Sequence, residues 1–245
     1  MVSEKQTGLE QLEKRVRRTT NVSHPIELNM IGELLQTFID GFNLIGGFKL
    51  TDDNEIQYVW LLLLAQTFRS MRTAYLSTRI GYYGEALSLL RLATESWFCA
   101  EDCKKNPRTV KALIHDNKLQ IKIGNLADAW DKKTREVVYG GDYEFLSRFT
   151  HPCKKGLATL IDPDTNKLCV YPDYSDLLFM TCCESLIRNA IRIYPIMLEL
   201  ISSTCNQKDL ETWTKLAVPR IKRAGCWQRD LAAKYEDSTT QYPND

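Results

Sequence analysis

The sequence predicts an all-α protein, a single helical bundle of about eight helices with one small β-hairpin. Three observations predict it. Apolar residues recur at three- and four-residue steps along most of the chain. Glycine and proline punctuate those stretches as helix stops and starts. Residues of β-prone type are concentrated in one short region.

The elements follow in order. Leu9 to Arg18 reads as a short charged helix, ended by a polar break at Thr19, Thr20 and Asn21. Ser23 stands two residues before Pro25, which suits an N-cap with proline in the first turn, and Ile26, Met30, Leu34, Phe38 and Phe42 continue at the helical period. Gly46 and Gly47 stop it. Thr51 to Asn54 cap a helix carrying Ile56, Val59, Trp60, Leu63 and Phe68 to about Arg79, where Gly81 and Gly84 mark a turn. From Glu85 to Lys104 the residues Ala86, Leu87, Leu90, Ala93, Trp97 and Ala100 form one apolar arc.

Asn106 caps a start at Pro107, and helical stretches cover Arg108 to Ile123 and Asn125 to Tyr139. Gly140 and Gly141 end the second, and Asp142 caps a short helix whose last residue is His151, because Pro152 disfavours helical geometry in the residue before it. The hairpin pairs Ala158 to Ile161 with Leu168 to Tyr171 across a turn at Asp162 to Asn166. Ser175 opens the longest helical pattern, through Leu178, Cys182, Leu186, Ile193, Met197 and Leu200, with a kink expected at Pro195. Two terminal helices, Lys208 to Arg223 and Cys226 to Tyr235, close the bundle. The division is an N-terminal charged extension over 1–22, a bundle over 23–236 and a disordered tail over 237–245.

Composition excludes several classes. Hydrophobic residues are 44% and charged residues 26%, the balance of a globular chain. Lys plus Arg number 32 against 31 Asp plus Glu, so no bulk field draws the molecule to nucleic acid or anionic lipid, and a polyanion site is at most a local patch. The most apolar run, Tyr58 to Ala65, is far short of the ~20 residues of a membrane span. Met1 to Arg18 is charged throughout and lacks an apolar leader core. The eight cysteines are therefore expected as free, mostly buried thiols of a reducing cytoplasm. No Cys-x-x-Cys pair occurs, so neither a metal nor a cofactor is expected.

Two groups of residues are candidates for chemistry. Arg91 and Glu95 lie four apart at the border of the apolar arc. Read plainly they are a boundary ion pair contributing ~0.3 to 0.5 kcal/mol. Under a second helix they become partly desolvated and able to orient a ligand or a histidine. Ser147, Arg148 and His151 form the second group, with Tyr143 beside it and the tyrosines Tyr82, Tyr83 and Tyr139 around the nearby glycine turns. A histidine ending a helix is commonly a favourable C-terminal charge. The functional alternative makes His151 a general acid or base and Arg148 the stabiliser of developing negative charge, chemistry that cleaves RNA without metal. His24 and His115 read as surface residues, and the basic runs Lys14 to Arg18 and Arg220 to Arg223 as solvated faces.

The segment from Ile80 to Glu95, with its glycine turn and Arg91-x-x-x-Glu95 pair, followed by Tyr143 to Pro152 with Leu146-Ser147-x-x-x-His151, resembles the prokaryotic domain of unknown function 5677 group. The likeness extends over roughly Gln57 to Ser202. It implies that Arg91, Glu95, Ser147 and His151 share one polar cluster inside a bundle, and it implies no activity. A weaker similarity is to helical ribonuclease-like domains of prokaryotic toxin and defence systems, which carry an arginine four to six residues before a histidine. Here only Phe149 and Thr150 separate Arg148 from His151, a departure from that pattern.

The expected function is binding of a partner or small ligand at Arg91, Glu95, Ser147, Tyr143 and His151. A metal-independent endoribonuclease acting through His151 and Arg148 is the alternative, and a purely structural scaffold the third. A homodimer through the long helices and an RNA or small-molecule ligand are the partners this reading admits, with no membrane.

Overall fold

The computed structural model describes residues 8–46, 51, 53–115, 123–128, 131–150 and 172–239. In chain order the helices are α1 (Gly8–Ser23), α2 (Pro25–Ile45), α3 (Glu55–Arg79), α4 (Tyr83–Cys103), α5 (Pro107–His115), α6 (Ile123–Ala127) and the single turn α7 (Lys132–Thr134). A π-helix, π1 (Arg135–Tyr143), follows directly, then α8 (Glu144–Thr150), α9 (Asp176–Thr204) and α10 (Gln207–Thr239). Among the described residues there is no strand, and the all-α expectation holds. The hairpin expected between Ala158 and Tyr171 lies outside the described residues.

The bundle is built around α9. It packs against α2, α3, α4 and α10, and Phe179, Cys182, Leu186, Ile193, Met197 and Leu200 along it are at most 1% exposed. Burying each large apolar side chain of this kind contributes ~1.5 to 3 kcal/mol. Ser175 starts the helix as expected, its hydroxyl accepting from the Leu178 amide at 3.4 Å. Pro195 sits within α9, where it removes one helical donor. Gly41 of α2 lets the two helices approach closely, since a Cβ there would stand 3.1 Å from the Met197 sulfur. At the α3–α4 turn Gly81 has φ +89°, and a Cβ on it would lie 2.5 Å from the Asp173 carbonyl. Only glycine fits that turn.

Several sequence expectations are corrected. α1 does not break at Thr19 to Asn21. The hydroxyls of Thr19 and Thr20 bond back to the carbonyls of Arg15 and Val16 at 3.3 and 2.9 Å, and Val16 and Thr20 form the buried side that keeps the helix running to Ser23. His24, rather than Ser23, occupies the position before α2, and its side chain does not cap the helix. His24 is also no surface residue. It is 7% exposed, stacked on Phe179 at 4.1 Å, with its Nε2 2.9 Å from both the Tyr174 hydroxyl and an Asp176 carboxylate oxygen. The two expected terminal helices are one, because the stretch from Gln207 to Thr239 passes through Pro219 and Gly225 with Trp213, Ala217 and Ala224 buried along it. Of the expected helix over Arg108 to Ile123, α5 is described to His115 and α6 begins at Ile123. The Asn106 start is present, its side-chain oxygen accepting from the Arg108 amide at 3.2 Å.

Candidate functional site

The site forms where the chain from α7 to α8 crosses between α4 and α9. Gly140 and Gly141 were expected to end a helix there. Instead the helix continues through them as π1 and runs straight into α8, and among the described glycines the one with positive φ is Gly81. Long-range side-chain bonds outweigh the local preference of a Gly-Gly pair to stop a helix. Tyr143 is held by α4 and Asp142 by α9. π-helical turns are rare and recur at functional sites.

On the α4 side, Arg91, Glu95 and Tyr143 form a closed triangle. Arg91 Nη2 lies 3.0 Å from Glu95 Oε1 and donates to the Tyr143 hydroxyl at 3.2 Å, and that hydroxyl donates to Glu95 Oε1 at 3.0 Å. The guanidinium carbon stands over the Tyr143 ring, 5.4 Å from its centroid. Arg91 Nη1 also donates to the Thr150 hydroxyl, which in turn donates to the Ser147 carbonyl at 2.9 Å. Burial pushes the Tyr143 phenol up, with the Glu95 charge adding to it against the opposing bond from Arg91, so Tyr143 stays neutral and keeps its proton for Glu95. Burial opposes the charge on Arg91, but Tyr143 and Glu95 together outweigh it and hold the guanidinium above its ordinary range. Arg91 Nε is buried and has no hydrogen-bond partner among the described residues.

Of the residues singled out from the sequence, Arg91, Glu95 and Tyr143 thus come together. Ser147 does not touch them through its side chain: its hydroxyl bonds back to the Tyr143 carbonyl at 2.8 Å. Arg148 is exposed in the last turn of α8. His151 lies outside the described residues. Thr150 was missed, although its spacing from Ser147 on one short helix was a usable signal.

On the α9 side stands a second charged group that the sequence reading did not find. Asp142, expected as a helix cap, is instead buried, and its two carboxylate oxygens receive Arg188 and Arg192 separately. Its role differs because the helix does not restart at this position. Arg188 also pairs with Glu184, and Arg192 lies over the Trp97 ring at 5.1 Å. The side chains of Asp142 and Arg192 are 10% and 13% exposed. Burial lowers both Arg188 and Arg192 to about 10, Arg192 adding its like charge to the effect on Arg188, and burial raises Glu184. Both arginines remain cationic at neutral pH. The legible signal was a charged stripe, Glu184, Arg188 and Arg192 at four-residue spacing, in the middle of a helix rich in apolar residues.

A cavity of about 370 Å³ opens beside this second group. Arg188, Arg192, Glu184 and Ser185 of α9 form one wall, and Asp142 of π1 with Phe145 of α8 the other. Its size falls at the small end of the ~300 to 1,000 Å³ range of ligand pockets. Among the described residues no three of His, Cys, Asp and Glu are grouped to hold a metal ion. No helix among them is long and apolar enough to cross a membrane.

The fold and site define an all-α bundle with a charged cleft between π1–α8 and α9. Comparison with family models finds no match, and comparisons with curated proteins and with solved structures find none either.

Proposed function

We propose that this protein is a binding domain that takes a small ligand in the cleft between π1–α8 and α9, with the Arg91, Glu95, Tyr143 and Thr150 group fixing the helix that lines it. The observation that carries this reading is the cavity itself. Four charged side chains, partly withdrawn from water, converge on a concave space edged by the Phe145 ring. Desolvated charge strengthens every electrostatic contact made there, whereas the Arg91 triangle beside it does not line that space.

A thermal-shift screen of neutral, anionic, cationic and zwitterionic small molecules tests it, with intrinsic fluorescence as a second readout because Trp97 underlies Arg192. Compounds that raise the wild-type melting temperature should lose that effect in Ser185→Trp and in Thr181→Trp, two substitutions that fill the cavity. Shifts that survive both fillings, or no shift from any compound, overturn the reading. The ribonuclease alternative separates at once: RNA incubated with the protein and a chelator should stay intact. Chelator-resistant cleavage abolished by His151→Ala would replace ligand binding with catalysis.

A further inference from the structure

We infer that the cleft takes a zwitterionic small molecule of the amino-acid type. Its carboxylate would face the Arg188 and Arg192 guanidinium groups, its ammonium the Glu184 and Asp142 carboxylates, and its apolar side chain Phe145. This rests on the cleft being the binding site, as proposed above.

Charge balance is the first argument. Among the described residues the cavity is lined by two cations, Arg188 and Arg192, and two carboxylates, Asp142 and Glu184, which sum to zero. An anion or a cation would leave one net charge in a partly desolvated space, which is costly unless it is paired. A zwitterion adds none.

Both signs of charge in the cleft are also under-compensated. Burial lowers the two arginines and raises Glu184 despite their mutual pairing. Each would gain from an additional opposite charge, and a ligand bearing both charges serves both at once.

Donor capacity points the same way. A guanidinium carries five N–H donors in a planar fork. Among the described residues Asp142 is the single group that Arg192 hydrogen bonds, with Trp97 beneath its face. The fork therefore has donors left for a carboxylate, in the geometry that arginine recognises best. The Phe145 ring and the small volume then select a compact molecule with an apolar arm.

Calorimetric titration of the full chain with free phenylalanine, free leucine and three analogues tests the inference. N-acetylphenylalanine lacks the cation, phenethylamine lacks the carboxylate, and glycine lacks the apolar arm. At least one of the two free amino acids should bind, and each analogue should bind about tenfold more weakly or worse. Glu184→Gln should weaken the free amino acid while leaving N-acetylphenylalanine no weaker and, with one repelling carboxylate gone, somewhat tighter, a split that general loss of structure does not produce. Equal binding of the acetylated or decarboxylated analogue overturns the inference. So does binding in the cleft by another chemical class when free amino acids fail, and in that case the cleft remains the site. If no compound of any class binds in a cavity-dependent manner, the site and the ligand class fall together.

Discussion

Two charged clusters lie on opposite sides of one helical turn, and they differ in that one bonds only inward while the other borders a cavity. The Arg91, Glu95 and Tyr143 triangle is closed: each member bonds the other two, and Thr150 takes a further guanidinium donor. The Asp142, Arg188, Arg192 and Glu184 group is open, with one carboxylate shared between two cations at the edge of a cavity. A polar network closed in this way positions helices and specifies their packing, here with one buried donor, Arg91 Nε, left over among the described residues. One whose paired charges line a cavity is placed to accept a ligand. The candidate visible in the sequence was the closed cluster, and the open one lies one residue away along the chain.

The largest effect that would test this contrast is expected at Asp142. Asp142→Ala leaves the half-buried Arg188 and Arg192 without their shared carboxylate and should cost about 3 kcal/mol in urea unfolding, the low end for a broken buried pair because Arg188 is partly exposed and keeps Glu184. Arg91→Ala should cost less, about 1 to 3 kcal/mol, because Glu95 and Tyr143 retain their bond to each other. If the two substitutions cost the same, the distinction between closed and open clusters fails. Tyr143→Phe should cost about 1 kcal/mol, and a double-mutant cycle with Glu95→Gln should show a coupling of about 0.5 kcal/mol or more. A cycle that adds without coupling would mean the triangle is not a unit.

The smallest effect is a pH slope. Burial raises the Glu184 carboxyl, so its protonated form is favoured in the folded state. Stability from this group is full below the ordinary glutamate value of about 4.3 and falls as pH rises through the raised folded value. Glu184→Gln should remove that component, flattening the fall in unfolding free energy across this window. An unchanged slope would show that Glu184 is adequately compensated by Arg188 and would weaken the contrast.

How far the sequence revealed these features depends on the range of the interactions behind them. Helical periodicity, the Ser175 cap and the Asn106 start are local, and they stand in the structure as read. The Arg91–Glu95 pair was legible from its spacing, which left open whether a second helix covers it; in the structure π1 and α8 bring Tyr143 and Thr150 onto it. The failures arise where distant partners override local signals. Gly140 and Gly141 look like a stop, but Asp142 is bound by arginines about 50 residues later in the chain. His24 looks exposed beside Pro25, but Phe179 and Tyr174 arrive from the start of α9 to bury it. Nothing in the spacing around either position names those partners.

The adjacency of Asp142 and Tyr143 has a mechanical consequence. One side chain anchors the turn to α9 and the next anchors it to α4, so the peptide unit between them is a crossbar joining the two sides of the molecule. A molecule that pulls Asp142 away from its arginines applies torque to the neighbouring phenol, and through it to the guanidinium above that ring. Were a ligand to occupy one side of the turn, this link is the route by which the other side would feel it.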